Sequence, residues 1–300
     1  MALRPNSFLF RCLEFYGTRI HHRGHWWIHY QLRKFLHADC DVNLLVTRAG
    51  LQWILNPSDY PQSEFFWTGE TDRWDIYHVK NHLRPGSTIF DIGANFGYYA
   101  LKICEGLAAK CNIHCFEPTF ETYERLVRNI HLNEFSEKIR AHCVGLSDQP
   151  SVGGLAHQAG NSGASRIVAA GKGQQVSLIK LDNFCEANQI DRVDFIKMDV
   201  QGFEPRVLQG AAATIERFRP AMLVELDPYM LQLQGSSPPD VASIVHQFGY
   251  RLYVANRRSL RLCLTSRLER KCLTSSACLR ARIRPEETHG FKRPTRPRVG

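Results

Sequence analysis

No stretch of this chain approaches the ~18 uninterrupted apolar residues that a membrane-spanning helix needs. The first residues also lack a signal-peptide core, because Arg11 and Glu14 interrupt the apolar segment from Phe8 to Tyr16. These two absences lead us to expect a folded, soluble, cytoplasmic protein. The ten cysteines include no C-x-x-C pair, which argues against zinc knuckles and dithiol redox chemistry and leaves reduced, mostly buried thiols as the expectation. Acidic residues are in deficit, 29 against 38 Lys and Arg. The excess is local. Residues 265–300 hold ten Lys or Arg and three Glu, so this segment carries +7 of the net +9 and residues 1–264 carry +2. With Pro285, Pro294 and Pro297 and little apolar periodicity, 265–300 reads as a basic, disordered tail. A nucleic-acid-binding body is not indicated.

What remains is ample for a large core: 300 residues, 44% of them hydrophobic. Residues 1–40 read as helical and rich in aromatic and His residues. His21, His25 and His29 fall at helical spacing, but Gly24 weakens that helix and no Cys or carboxylate lies among them, so packing is expected rather than a metal site. Val42–Val46 and Gln52–Leu55 read as a hairpin, 57–69 as a loop and 72–83 as a helix; Pro85-Gly86 then breaks the chain. From Ser87 onward strands and helices alternate, the pattern of a parallel sheet covered on both faces. The predicted strands are Thr88–Ile92, Ile113–Phe116, Arg140–Val144, Val193–Asp199, Ala221–Leu226 and Tyr250–Ala255. A Gly-rich excursion, 153–175, is too long for an ordinary connection and is predicted to form a hairpin over the sheet edge. The expected division is therefore an N-terminal helical and hairpin extension on the substrate side (1–85), a ligand-binding α/β domain (86–264) and the tail.

In such sheets ligands bind beyond the carboxyl ends of the strands, where the strand order reverses. Asp91, Glu117, Asp199 and Glu225 all fall at or near those ends. Four clustered carboxylates repel one another unless a cation shares the space, and a cationic ligand is the simplest resolution. The turn Gly93-Ala94-Asn95-Phe96-Gly97 is not G-x-G-x-x-G, and Asp91 directly before it would face a pyrophosphate, so a nicotinamide dinucleotide fits poorly. S-adenosyl-L-methionine fits better. Asp91 is placed to hold its ammonium or methionine part, Glu117 its ribose hydroxyls, and Phe116 and Pro118 its adenine edge.

The segments Phe90–Tyr99, Phe116-Glu117-Pro118, Leu181-Asp182, Asp194–Glu204 with Val207–Gly210, and Pro220–Glu225 together resemble the FkbM family of S-adenosyl-L-methionine-dependent methyltransferases, in order over about 56–256. The resemblance implies a class I methyltransferase fold, Rossmann-like, with a seven-stranded mostly parallel sheet. It also implies O-methylation of a sugar, glycolipid or polyketide hydroxyl. Carried onto this chain, it places Asp91, Gly93, Asn95, Gly97 and Glu117 around the donor. Where the family usually has an acid in Asp-Val-Glu-Gly-Phe-Glu, this chain has Gln201, which can hydrogen-bond but cannot act as a base. Enzymes that methylate exocyclic nitrogens carry Asn/Asp-Pro-Pro-Tyr/Phe after the fourth strand; this chain has Asp199-Val-Gln-Gly-Phe-Glu204.

Asp199, Glu225 and Glu204, the last at a helix start, are the candidate bases, and Tyr60, Gln62, Glu64, Asn161, Ser162 and Ser165 the candidate acceptor contacts. The expected partner is a small-molecule or lipid-linked glycan. Two other readings stay open: a non-catalytic protein of nucleotide-binding fold, and an RNA methyltransferase steered by the tail.

Overall fold

The computed structural model describes residues 4–256, except 6, 21, 23 and 39, together with 259–262 and 279–285. Two helices come first, α1 (Phe8–Arg19) and α2 (His25–Phe35), then the hairpin β1 (Leu44–Arg48) and β2 (Leu51–Leu55). Its turn is tighter than expected because Ala49 and Gly50 both adopt positive φ, the conformation a two-residue hairpin loop needs. The expected loop at 57–69 is mostly a helix, α3 (Tyr60–Thr68), followed by α4 (Arg73–Lys80). Aromatic anchoring explains the difference. Phe65, Phe66 and Trp67 are fully buried in the core, which favours an ordered turn of helix over a polar loop.

The α/β part begins with β3 (Ser87–Ile92), α5 (Tyr98–Gly106), β4 (Cys111–Phe116), α6 (Phe120–Leu132) and β5 (Ile139–His142). Next come β6 (Gly145–Leu146), β7 (Ser151–Gln158), β8 (Asn161–Val168), β9 (Gln174–Ile179) and α7 (Leu181–Ala187). The remainder is β10 (Phe195–Met198), α8 (Glu204–Gly210), α9 (Ala212–Phe218), β11 (Ala221–Leu226), α10 (Pro228–Leu233), α11 (Pro238–Gln247), β12 (Tyr250–Asn256), β13 (Ser259–Leu262) and β14 (Leu279–Pro285).

The main sheet has the order β13-β12-β14-β11-β10-β3-β4-β5. Strands β11-β10-β3-β4-β5 pair in parallel, and β14 lies antiparallel between β11 and β12. This is the class I methyltransferase arrangement, with two corrections to the expectation. The sheet has eight strands rather than seven, because β13 folds back on β12. And 265–300 is not wholly a free arm: Leu279–Pro285 supplies the antiparallel strand. The rest of that tail lies outside the described residues. The sequence masks this antiparallel strand, because its alternating Arg280, Arg282 and Arg284 read as a charge run.

The Gly-rich excursion forms the expected hairpin, β7 on β8, and joins β9 and β6 in a second, four-stranded sheet. Strand β3 is buried along its whole length and alternates between two cores. Ile89 belongs to one, with α5, the hairpin and α1; Phe90 and Ile92 belong to the other, with α8 and α11. The first core runs without a break from Phe10 through Trp53 and Phe65 to Leu101, so the N-terminal extension is packed onto the sheet domain. Strand order reverses between β3 and β10. The loops that leave their carboxyl ends make the site.

Candidate active site

The loop after β3 is shaped by three consecutive positive-φ positions on alternate residues: Gly93 at 75°, Asn95 at 48° and Gly97 at 94°. Two of them also admit no side chain. A Cβ on Gly93 would stand 1.8 Å from the Asp199 carbonyl oxygen, and one on Gly97 2.6 Å from Leu126. Gly93 therefore brings the loop after β3 against the loop after β10, across the switch point, while Gly97 packs against α6.

Two clefts meet there. The first, about 620 Å³ including its open mouth, is lined by Gly93, Asn95, Phe116, Glu117, Pro118 and Thr119, with Val144, Leu146 and Leu155 among its apolar walls. The second, about 1220 Å³ on the same basis, is lined by Tyr60, Glu64, Asp72, Lys197, Glu225 and Asp227 among others. Gly93, Asn95, Gly163, Asp199 and Gln201 border both.

Glu117 is buried at the end of β4, and its oxygens accept from the Asn95 N–H at 3.1 Å and the Thr119 N–H at 2.9 Å. Burial raises its carboxyl above the ordinary carboxylate range, against these two hydrogen bonds. Asn95 is tied in turn to Ser162 at 3.3 Å, and Ser162 donates to the Asp59 carboxylate at 2.6 Å. Asp59 thus joins the start of α3, the second sheet and the glycine loop. Nothing in the sequence pattern singled it out.

Asp91 does not stand where the sequence pointed. It is fully buried and borders neither cleft, and burial raises its carboxyl above the ordinary range despite the nearby Lys197. It faces Lys197, its register partner on β10, with 3.4 Å between the ammonium and Oδ1. Lys197 also donates to the Gly93 carbonyl at 2.8 Å and lies 5.1 Å from the centre of the Tyr99 ring. Burial opposes its charge, but Asp91, Asp199 and Glu225 outweigh that and hold its proton more tightly than in water. The carboxylate rim is therefore partly neutralised from within, and a cationic ligand is not the only answer to its charge. The lone Lys inside the apolar run Phe195-Ile-Lys-Met198 is the signal the sequence offers for this residue.

Asp199 borders both clefts and accepts from the Gln201 side-chain amide at 2.7 Å. Gln201 adopts φ 52° and shares the same boundary, so the position where the sequence departs from the usual acid lies at the junction. Glu225 borders the second cleft. Glu204 borders neither: its Oε1 accepts from the Val200 and Gly202 N–H groups, both at 3.2 Å, and closes the turn after β10. Its nomination as a base is corrected on that ground. Burial pushes its carboxyl up to about 8.

Of the nominated donor contacts, Gly93, Asn95, Phe116 and Glu117 border the first cleft, whereas Gly97 starts α5 behind it. Of the nominated acceptor contacts, Tyr60, Glu64 and Asn161 border the second cleft, and the buried Asn161 Oδ1 accepts no hydrogen bond. Ser162 and Ser165 border the first cleft instead. Gln62 is fully buried and bonds to Asn56 and Asp59, a structural role.

A profile of the Methyltransferase FkbM domain matches residues 91–252. The chain belongs to the FkbM methyltransferase family. Two curated relatives are similar to it. The hexuronic acid methyltransferase AglP of Haloferax volcanii is 25% identical over 166 residues, 53% of this chain and 61% of the relative. The 2-O-methyltransferase NoeI of Sinorhizobium fredii is 26% identical over 154 residues, 45% of this chain and 62% of the relative. This FkbM-family chain thus spans about three fifths of the length of the relatives it matches. A solved FkbM methyltransferase from Methylobacillus flagellatus shares 16% identity over 73% of this chain and 52% of that one, with a TM-score of 0.44.

Proposed function

We propose that this chain is an S-adenosyl-L-methionine-dependent O-methyltransferase whose acceptor is a hydroxyl of a sugar, glycolipid or polyketide-type molecule. One observation carries the reading: a cleft with a buried carboxylate and apolar walls abuts a larger cleft that Glu64, Asp72, Lys197 and Glu225 help to line, and five residues border both. Family membership and the two relatives, one named for a hexuronic acid and one for 2-O-methylation, support it.

The first cleft suits the donor. Each Glu117 oxygen accepts one backbone hydrogen bond and keeps lone-pair capacity for a ribose hydroxyl. The Phe116, Pro118, Val144, Leu146 and Leu155 walls suit a base ring. At the Gly93 turn, the absence of a side chain leaves backbone in reach of a ligand. S-adenosyl-L-methionine, when bound, supplies a methyl group activated by its sulfonium charge.

The chain's own residues then have three tasks. Its clefts hold the two reactants in line, which accounts for most of the rate in a displacement of this kind. Asp199, fixed by Gln201 at the junction, accepts the hydroxyl proton; Glu225, on the acceptor side, orients the hydroxyls. Lys197 holds the Gly93 carbonyl and sets a positive charge against Asp91 beneath the junction.

The test is transfer from methyl-labelled donor to a glycan extract, with RNA as a parallel acceptor. The reading expects label in O-methyl sugar and, in Asp199→Asn, a kcat lower by roughly 10²–10⁴-fold. Label in RNA alone, or donor binding with no transfer to any acceptor, would overturn it.

A further inference from the structure

The exposed apolar side chains of this protein are not scattered. Of sixteen large hydrophobic residues exposed among those described, eight fall between residues 8 and 35, on α1, on α2 or in the link between them. On α1 the buried side is Phe10, Leu13 and Gly17, with Phe10 packed on Phe66 and Trp67. The opposite side carries Phe8, 80% exposed, and Phe15, 61% exposed, seven residues apart and so on one helical face. On α2 the buried side is His25, His29 and Arg33, and Arg33 donates to Ser63 at 2.6 Å. Trp27, 65% exposed, and Phe35, 81% exposed, lie eight residues apart on its outer side, with Ile28 and Leu32 beside them. The two helices touch through Tyr16, which packs on His25 and His29, so the outer faces belong to one unit.

The net charge of this unit is positive. Arg4, Arg11, Arg19 and Lys34 are exposed, and residues 4–38 contain a single acid, Glu14, which is paired with the buried Arg48. Rings and branched chains flanked by cations, on helices of 12 and 11 residues, match a surface that lies in a membrane interface; both helices are far too short to span a bilayer. A water-facing helix of a globular protein would present polar residues here.

We infer that α1 and α2 form an interfacial docking face for a bilayer bearing anionic headgroups. The aromatic side chains enter the headgroup boundary, and the four cations meet the negative surface. Helix α1 packs on α3, whose Tyr60 and Glu64 border the second cleft, so docking holds that cleft at the membrane surface. This inference does not depend on the proposed methyl transfer.

Flotation of the full chain with vesicles tests it. Phosphatidylglycerol-containing vesicles should carry the protein up the gradient, and pure phosphatidylcholine vesicles far less. The triple variant Phe8→Ser/Trp27→Ser/Phe35→Ser changes only exposed side chains and should keep its circular dichroism and melting temperature. Its partitioning should fall on the order of tenfold for each ring removed. Arg11→Gln/Arg19→Gln/Lys34→Gln should lose the preference for phosphatidylglycerol, and so should the wild type at high salt. Failure of the wild type to float would overturn the inference. So would flotation of the aromatic triple variant at the wild-type level, which would assign binding to the basic tail. A dimer seen by light scattering that the same variant converts to monomer would assign the face to a second copy and also overturn it.

Discussion

Lys197 and Asp91 are register partners on adjacent parallel strands, and their charges meet at 3.4 Å inside the first core. Removing one partner of a buried pair leaves an uncompensated charge, which typically costs about 3–5 kcal/mol. Lys197→Met and Asp91→Asn should each lower stability by roughly that amount in urea unfolding, and the double variant should recover part of the loss. Lys197→Met should also weaken S-adenosylhomocysteine binding, because the Gly93 carbonyl loses its donor. Single variants within about 0.5 kcal/mol of wild type would show that the pair is not a structural element of the site.

Glu204 separates a structural carboxylate from a catalytic one. Its carboxyl is raised from 4.5 to about 8 by burial, so between those values the folded state binds more protons than the unfolded state. Stability from this group is therefore present at low pH and is lost as pH rises from about 4.5 to about 8. Glu204→Gln keeps an oxygen for the Val200 and Gly202 N–H groups and removes the ionisation. Its melting temperature should exceed that of wild type near pH 8, with kcat within about twofold, a small change on the kinetic scale. A loss of kcat on the order of 10²-fold would return Glu204 to the list of bases.

His114 works in the opposite direction. It is buried against His142, with their ring nitrogens 3.2 Å apart, and burial together with His142 and Arg140 lowers it from 6.5 to about 4. The unfolded chain binds the extra proton between those values, so stability falls as pH drops from about 6.5 to about 4 and levels off below. The upper limit of this contribution is about 3 kcal/mol, at 1.36 kcal/mol per unit. Melting temperatures of wild type and His114→Asn across that range should converge toward the acid end. Parallel curves would show that His114 is not the group responsible.

Much of the fold was legible because the α/β segment obeys its own periodicities. Ala221–Leu226 was read to the residue, and β3, β4 and β12 to within two residues at each end. What escaped had no local pattern. Helix α3 follows from long-range burial of Phe65, Phe66 and Trp67, and β14 from pairing with residues up to 61 positions away, as in Met222 with Ile283. At the site, the strand-end carboxylates were visible because strand ends are visible. Their division of labour was not. Whether Asp91 faces a ligand or Lys197 depends on register between strands some 100 residues apart, and spacing alone does not carry that. Gln201 likewise read as a lost acid, and only the turn geometry places its amide on Asp199.

The central claim is that the cleft closed by Glu117 and the Gly93–Gly97 turn receives an adenosine-bearing methyl donor. Calorimetric titration with S-adenosylhomocysteine, on wild type and on Glu117→Ala, tests it most directly. The account predicts saturable binding at one site and a weakening on the order of 10²-fold in the variant, as expected when a buried charged hydrogen-bond partner is removed. Absence of binding to the wild-type chain, or equal affinity in Glu117→Ala, would contradict it.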